Sequence, residues 1–233
     1  MLDFKCRHFE NTFILMSVRW YVAYPLSYRQ IEEMMQERGV LVDHSTINRW
    51  VVKYAPELEK QFRKNHKRPT GSSWRMDETY IKIKGVWHYL YRAVDKTGNT
   101  IDFLLCKQRD KKSAKSFFKK ALGSSGIPEK ITIDKSGANK SALDAINSEL
   151  KKNTTNPSDE PRILIRQIKY LNNIVEQDHR FIKKIVKPKL WFKEFNSAKA
   201  TLAGIELHHM LKKGQYIHSK KMTVFEQFYA LAG

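Results

Sequence analysis

Three carboxylates stand where the chain offers little reason for an acid. Asp77 lies in the run Trp74-Arg75-Met76-Asp77-Glu78-Thr79-Tyr80-Ile81-Lys82-Ile83-Lys84, whose alternation predicts a β-strand. Side chains alternate between the faces of a strand, so Asp77 shares a face with Thr79, Ile81 and Ile83, while Lys82 and Lys84 fall on the other. A carboxylate on an apolar face is costly unless hydrogen-bond donors or a cation compensate it. Asp134 closes a second short run, Lys130-Ile131-Thr132-Ile133-Asp134, and Glu176 falls in the first turn of an expected helix. If the first two acids meet, they repel and one takes up a proton. A hard divalent cation removes the conflict: Mg²⁺, with Mn²⁺ as a substitute, takes oxygen ligands from a few carboxylates plus phosphate. Two such ions about 3.5–4 Å apart stabilise the attacking and leaving oxygens of a phosphoryl displacement, with water or a 3′-hydroxyl as nucleophile.

Glu176 shares its helix face with His179, Arg180 and Lys183. A solvated ion-pair stripe would account for a lone glutamate there. As the third acid of a set, the same stripe, Arg180 included, becomes a surface for DNA, with Lys183 on a phosphate near the metals.

The elements that must position these acids follow from pattern. Beyond the first strand, Lys84-Gly85 supplies a hairpin, Val86–Val94 a second strand, Asp95–Asn99 a turn and Thr100–Leu105 a third strand. A helix is expected over 111–122, the strand ending at Asp134 next, and a helix over 140–150. An exposed loop is expected at 151–162, a strand at 163–168, and a helix from Asn172 or Asn173 to about Ile185. Another helix is expected over 202–211, and the tail from Gly214 is ambiguous. Three antiparallel strands, a crossover helix, a fourth strand and a short fifth give the ribonuclease-H-like order, in which strands one and four are neighbours. Fold alone says nothing of chemistry.

Ahead of this lies a helical head. Residues 13–24 form a core helix ended near Pro25; Ser27 and Gln30 make a capping box for a helix that Gly39 stops. Asp43 starts a third helix, with Ile47, Trp50, Val51 and Tyr54 at helical spacing, expected to end by Ala55 because Pro56 follows. This is a helix-turn-helix pattern, and the last helix would offer His44, Ser45, Thr46, Asn48 and Arg49 to a major groove. Any three-helix bundle shows such stripes. The fold class is therefore α/β, an N-terminal helix-turn-helix followed by a ribonuclease-H-like mixed-sheet catalytic domain. The expected divisions are 1–59, a basic linker at 60–73, a catalytic domain over 74–190 and a C-terminal helical segment over 191–233.

Charge narrows the partner. The 233 residues hold 43 Lys and Arg against 24 Asp and Glu, a formal net charge of +19, which points to a polyanion. The basic residues are spread along the chain, which argues against a membrane-surface helix. Cys6 and Cys106 are too few for a disulfide framework or zinc cluster, and no apolar run reaches the about 18 residues of a membrane span. A soluble protein of a reducing compartment is expected, cytoplasmic and associated with the nucleoid.

These residues carry a resemblance. Asp43-His44-Ser45-Thr46-Ile47-Asn48-Arg49-Trp50-Val51, Met76-Asp77-Glu78-Thr79-Tyr80, Tyr89-Leu90-Tyr91-Arg92-Ala93-Val94-Asp95, Thr132-Ile133-Asp134-Lys135, Ile174-Val175-Glu176-Gln177-Asp178-His179 and Lys212-Lys213-Gly214-Gln215 resemble the bacterial DDE transposases, most closely the "insertion sequence six" family. The likeness runs from residue 4 to about 215. It implies that Asp77, Asp134 and Glu176 are catalytic, metal-holding acids and that Lys183 fills the basic position seven residues after the glutamate. It also implies a helix-turn-helix that binds double-stranded DNA at terminal inverted repeats, a target DNA, and homodimeric action. Two features depart from the family: Glu176 follows Asp134 by 42 residues, wider than usual, and the tail is short. A non-enzymatic DNA-binding regulator, including a domesticated transposase, and a stand-alone nuclease are the alternatives.

Overall fold

Three helices precede three consecutive strands, helices and strands then alternate as far as the fifth strand, and the rest is helical; the computed structural model describes the chain over residues 2, 4, 8–152, 162–168 and 173–233. Most of the expected 151–162 loop, together with Cys6, lies outside the described residues. The chain divides into two compact units, Met1–Arg68 with Phe181–Gly233, and Pro69–Arg180. The division falls inside the basic 60–73 stretch.

The second unit is a five-stranded mixed sheet. Its strands are β1 (Ser73–Ile83), β2 (Val86–Asp95), β3 (Thr100–Cys106), β4 (Lys130–Ile133) and β5 (Leu164–Gln167), in the order β3-β2-β1-β4-β5. The first three run antiparallel, while β4 is parallel to β1 and β5 to β4. This is the ribonuclease-H-like arrangement. Lys84 and Gly85 both have positive φ, as a tight hairpin turn demands. Asp95 ties the second turn by accepting from the Thr97 and Asn99 amides, each at 2.9 Å. Helices α4 (Lys111–Ser125) and α5 (Gly137–Lys152) share a buried core with the sheet, in which Trp74, Met76, Tyr91, Ile131 and Ile133 meet Phe117, Phe118, Leu143 and Ile146. Both faces of β1 are therefore apolar, over different halves: Trp74 and Met76 face this core, and Thr79, Ile81 and Ile83 are buried on the opposite side.

The helix expected to run from Asn172 or Asn173 to about Ile185 is two helices, α6 (Asn173–Asp178) and α7 (Arg180–Val186), with Asn172 outside the described residues. The interruption is His179, whose amide is shared between the carbonyls of Val175 (3.1 Å) and Glu176 (3.2 Å) and which is buried rather than part of a solvated stripe.

The first unit contains α1 (Asn11–Ala23), α2 (Tyr28–Gln36), α3 (His44–Gln61), α8 (Phe195–Lys212) and α9 (Val224–Ala230) as well as α7. The Ser27–Gln30 capping box is present, and Asp43 caps α3 by accepting from the Ser45 amide at 2.8 Å. The expected stop at Ala55 is overturned. The helix α3 continues through Pro56 to Gln61, because Tyr54, Ala55, Leu58 and Phe62 are all buried, which outweighs the about 3 kcal/mol penalty of an internal proline. The basic stretch that follows is structured at its start: Lys67 bridges to Tyr216, and His66 accepts from the Ile217 amide at 2.8 Å. The C-terminal helices thus lie in the same unit as the N-terminal ones. At its middle α8 is buried on every side, and Gly204 allows the approach: a Cβ there would lie 2.6 Å from Val22 and 2.9 Å from Ala55. The ambiguous tail contains α9, started by a Thr223–Glu226 capping box.

Candidate active site

Register brings the first two acids together. The parallel pairing of β1 with β4 ends at Arg75 opposite Thr132, and two residues further on each strand stand Asp77 and Asp134. There β4 has ended, so β1 presents an open edge to the turn that carries Asp134. Glu78, one residue on, reaches the same place: carboxylate oxygens of Asp77, Glu78 and Asp134 lie within 4.8 Å of one another.

The electrostatics record the crowding. Burial pushes the Asp77 carboxyl up to about 7, and the charge of Glu78, then those of Asp134 and Glu176, add to the rise against a bond from the Glu78 amide. Asp77 is the acid that would keep a proton when no cation neutralises the group. Glu176, exposed on α6, is close enough to be felt by Asp77 but stands outside the tight cluster.

Two donors hold the cluster, one exposed and one buried. Arg109 donates to Asp134 at 2.9 Å and to both Glu78 oxygens at 3.3 Å. Asn139, buried in the first turns of α5, donates to Glu78 at 3.1 Å and to Asp134 at 3.3 Å. The Ser136 amide adds a third bond to Asp134 at 3.0 Å. Glu78, Arg109 and Asn139 were not picked out by sequence. Glu78 carried a signal there, a second acid beside Asp77; Arg109 and Asn139 carried none.

Opposite Asp77 on β2 stands Arg92, fully buried, which donates to Asp178 on α6 at 2.8 Å. His179 Nδ1 lies 3.8 Å from Asp77 Oδ2. These two contacts come from consecutive residues, Asp178 at the end of α6 and His179 in the turn that follows it.

The donor set suits a hard divalent cation, since every candidate ligand is a carboxylate oxygen and the group is short of positive charge. The buried amide oxygen of Asn139 accepts no hydrogen bond among the described residues, leaving a further oxygen beside the acids.

Of the other expected residues, Arg180 is exposed at the end of this unit, and Lys183 is exposed on α7 in the first unit. On α3, Ser45 and Arg49 are exposed, and Arg49 donates to Thr46 at 2.7 Å. His44 lies 3.0 Å from Glu32. Asn48 lines a cavity of about 360 Å³ with Tyr21, Tyr28, Lys189 and Trp191. Lys189, itself part of the lining, donates to the Tyr21 carbonyl near the end of α1.

Comparison with known proteins bears on the family. A family described as "DDE domain" matches residues 71–215, and one described as "Transposase IS66 family" matches residues 12–129. The transposase for insertion sequence-like element IS431mec of Staphylococcus aureus is 43% identical over 210 residues, 90% of this chain and 88% of the relative. The transposase for insertion sequence element IS257 in transposon Tn4003, also of Staphylococcus aureus, shows the same 43% identity over the same shares. Among solved structures, the HTLV-2 integrase catalytic core domain in complex with magnesium is 19% identical, covers 58% of this chain and 86% of that one, and gives a TM-score of 0.41. On the extent of the family match and of the 43% identity, the chain belongs to the bacterial DDE transposases.

Proposed function

We propose that the chain binds the terminal inverted repeats of its mobile element and carries out metal-dependent strand cleavage and strand transfer into a target DNA. The observation that carries this is the convergence of Asp77 and Asp134 past the end of β4, with Asp77 pushed up to about 7. A regulator that only binds DNA has no use for a cluster of acids so short of a counter-charge.

Asp77, Asp134 and Glu176 would hold a divalent cation, Mg²⁺ or in its place Mn²⁺. When bound, the metal supplies Lewis-acid stabilisation of the attacking and leaving oxygens. The residues of the chain do the rest. Arg109, Asn139 and the Ser136 amide fix both oxygens of Asp134. Asp77 gives up its proton when the site fills. Arg180 and Lys183 contribute phosphate contacts, and the +19 net charge favours a polyanion throughout. In the helical unit, Ser45 and Arg49 are the members of the expected set best placed for a groove, since His44 is taken by Glu32 and Asn48 turns to the cavity. Homodimeric action on paired ends accords with the family resemblance.

The test is incubation of the purified protein with its element's end DNA, a target plasmid and Mg²⁺. Joined products are expected, and their absence under conditions where the ends are bound would overturn the reading.

A further inference from the structure

The third acid is the least constrained of the set. Glu176 is exposed on α6, a helix of six residues that buries Val175 alone. A helix that short has little stability of its own, so what fixes Glu176 must come from the sheet. Arg92 provides such a fixing point. It stands opposite Asp77 in the β1–β2 register, is fully buried, and donates to Asp178, two residues beyond Glu176, at 2.8 Å. Asp178 is itself only 11% exposed.

A buried ion pair is a poor device for stability, because desolvation offsets most of its attraction. It is a good device for fixing a register, because a displaced helix would leave the buried Arg92 charge without its carboxylate. We propose that Arg92 is a positioning residue: through Asp178 it anchors α6 to the catalytic strands and thereby sets where the Glu176 carboxylate stands relative to Asp77 and Asp134. This rests on the assignment of those three acids as the metal-holding set. Arg92 touches neither metal nor DNA in this scheme; it acts through the helix.

The test uses the full chain with Arg92→Gln, Asp178→Asn and Arg92→Lys, each alone and combined with Glu176→Gln. Amide hydrogen exchange of α6 without metal reports anchoring, and Mn²⁺ affinity from the metal-dependent rise in melting temperature reports the consequence. In the otherwise native chain, Arg92→Gln and Asp178→Asn should speed exchange over Val175–Asp178 and weaken Mn²⁺ binding by about 10-fold, as loss of a ligand-orienting contact does. Arg92→Lys should recover part of both. In the Glu176→Gln background, the same substitutions should leave Mn²⁺ affinity nearly unchanged. Unaltered exchange in α6 would overturn the anchoring, and faster exchange with unaltered Mn²⁺ affinity would overturn the positioning role. Equal weakening in both backgrounds would show that Arg92 acts on the fold and not through Glu176. Asp178→Asn, at the partly solvated end of the pair, carries the test if Arg92→Gln does not fold. Failure of the acid assignment itself shows separately, as a wild-type chain that gains no stability from Mn²⁺.

Discussion

Arg109 donates to Asp134 at 2.9 Å and holds the carboxylate that closes β4 toward Glu78 rather than leaving it loose at the strand end. In the absence of metal this guanidinium is a positive charge directly bonded within the acid cluster, and the neighbouring acids hold its proton more firmly than usual although burial opposes them. Replacing Arg109 with Ala should lower the stability of the metal-free protein by roughly 0.2–1 kcal/mol, the range for a partly exposed pair. It should also enlarge the stabilisation gained on adding Mg²⁺, because the site becomes more acidic. Melting temperatures in EDTA and in Mg²⁺ measure both. A metal response unchanged by the substitution would show that Arg109 is not part of the site's charge balance.

Asp77 makes the metal-free protein pH-sensitive in an unusual direction. Its folded carboxyl sits at about 7, whereas an unfolded aspartate ionises near about 3.9. Between those values the folded state binds more protons than the unfolded one, so stability falls as pH rises. The loss is complete above the folded value. The difference in stability between wild type and Asp77→Asn, followed in EDTA from acid to neutral pH, should therefore move steadily in favour of the variant. A flat difference would mean that neither burial nor the neighbouring acids raise the Asp77 carboxyl.

Gly204 tests the core of the helical unit. A Cβ at this position would lie 2.6 Å from a Val22 methyl and 2.9 Å from the Ala55 Cβ. Helix propensity favours alanine by up to about 1 kcal/mol, but overpacking costs about 1–3 kcal/mol. Gly204→Ala should therefore be destabilised in urea, and a stabilised variant would contradict the close approach of α8 to α1 and α3.

Arg49 is exposed on α3 and oriented by its bond to Thr46. If it reads a base, Arg49→Ala should cost about 1–3 kcal/mol at the cognate end while leaving non-specific DNA binding nearly intact. Equal losses on both DNAs, in titrations at one salt concentration, would make it a phosphate contact.

Much of this molecule was legible because its local signals are strong. Alternation marked β1 and the parity of Asp77, the Lys84-Gly85 turn fixed the first hairpin, and the order of strands placed β4 beside β1. Other features depend on what the fold brings together from afar. Pro56 says stop to a local reading, yet buried neighbours on both sides carry α3 past it. His179 was expected on a DNA-facing stripe of one continuous helix, but it is buried at the break between α6 and α7, with Nδ1 3.8 Å from Asp77. Arg109 and Asn139 lie 32 and 62 residues from Asp77, on a loop and a helix whose approach to β1 no periodicity reports. That the N-terminal and C-terminal helices build one unit follows from long-range burial of α8, which the sequence shows only as a helix over 202–211.

The most direct measurement compares wild type with Asp77→Asn for end binding, metal-linked stability and DNA chemistry in the same preparation. The substitution keeps the shape of the side chain, removes a charge from the crowded cluster and weakens its hold on a cation. The metal-free variant should be as stable as wild type or more so, and its gain in melting temperature on adding Mg²⁺ should shrink. End DNA should still bind through the helical unit, while Mg²⁺-dependent cleavage and joining fall to background. A wild-type protein that binds ends without any DNA chemistry, together with a variant whose metal response is undiminished, would contradict the assignment of this cluster as the catalytic centre.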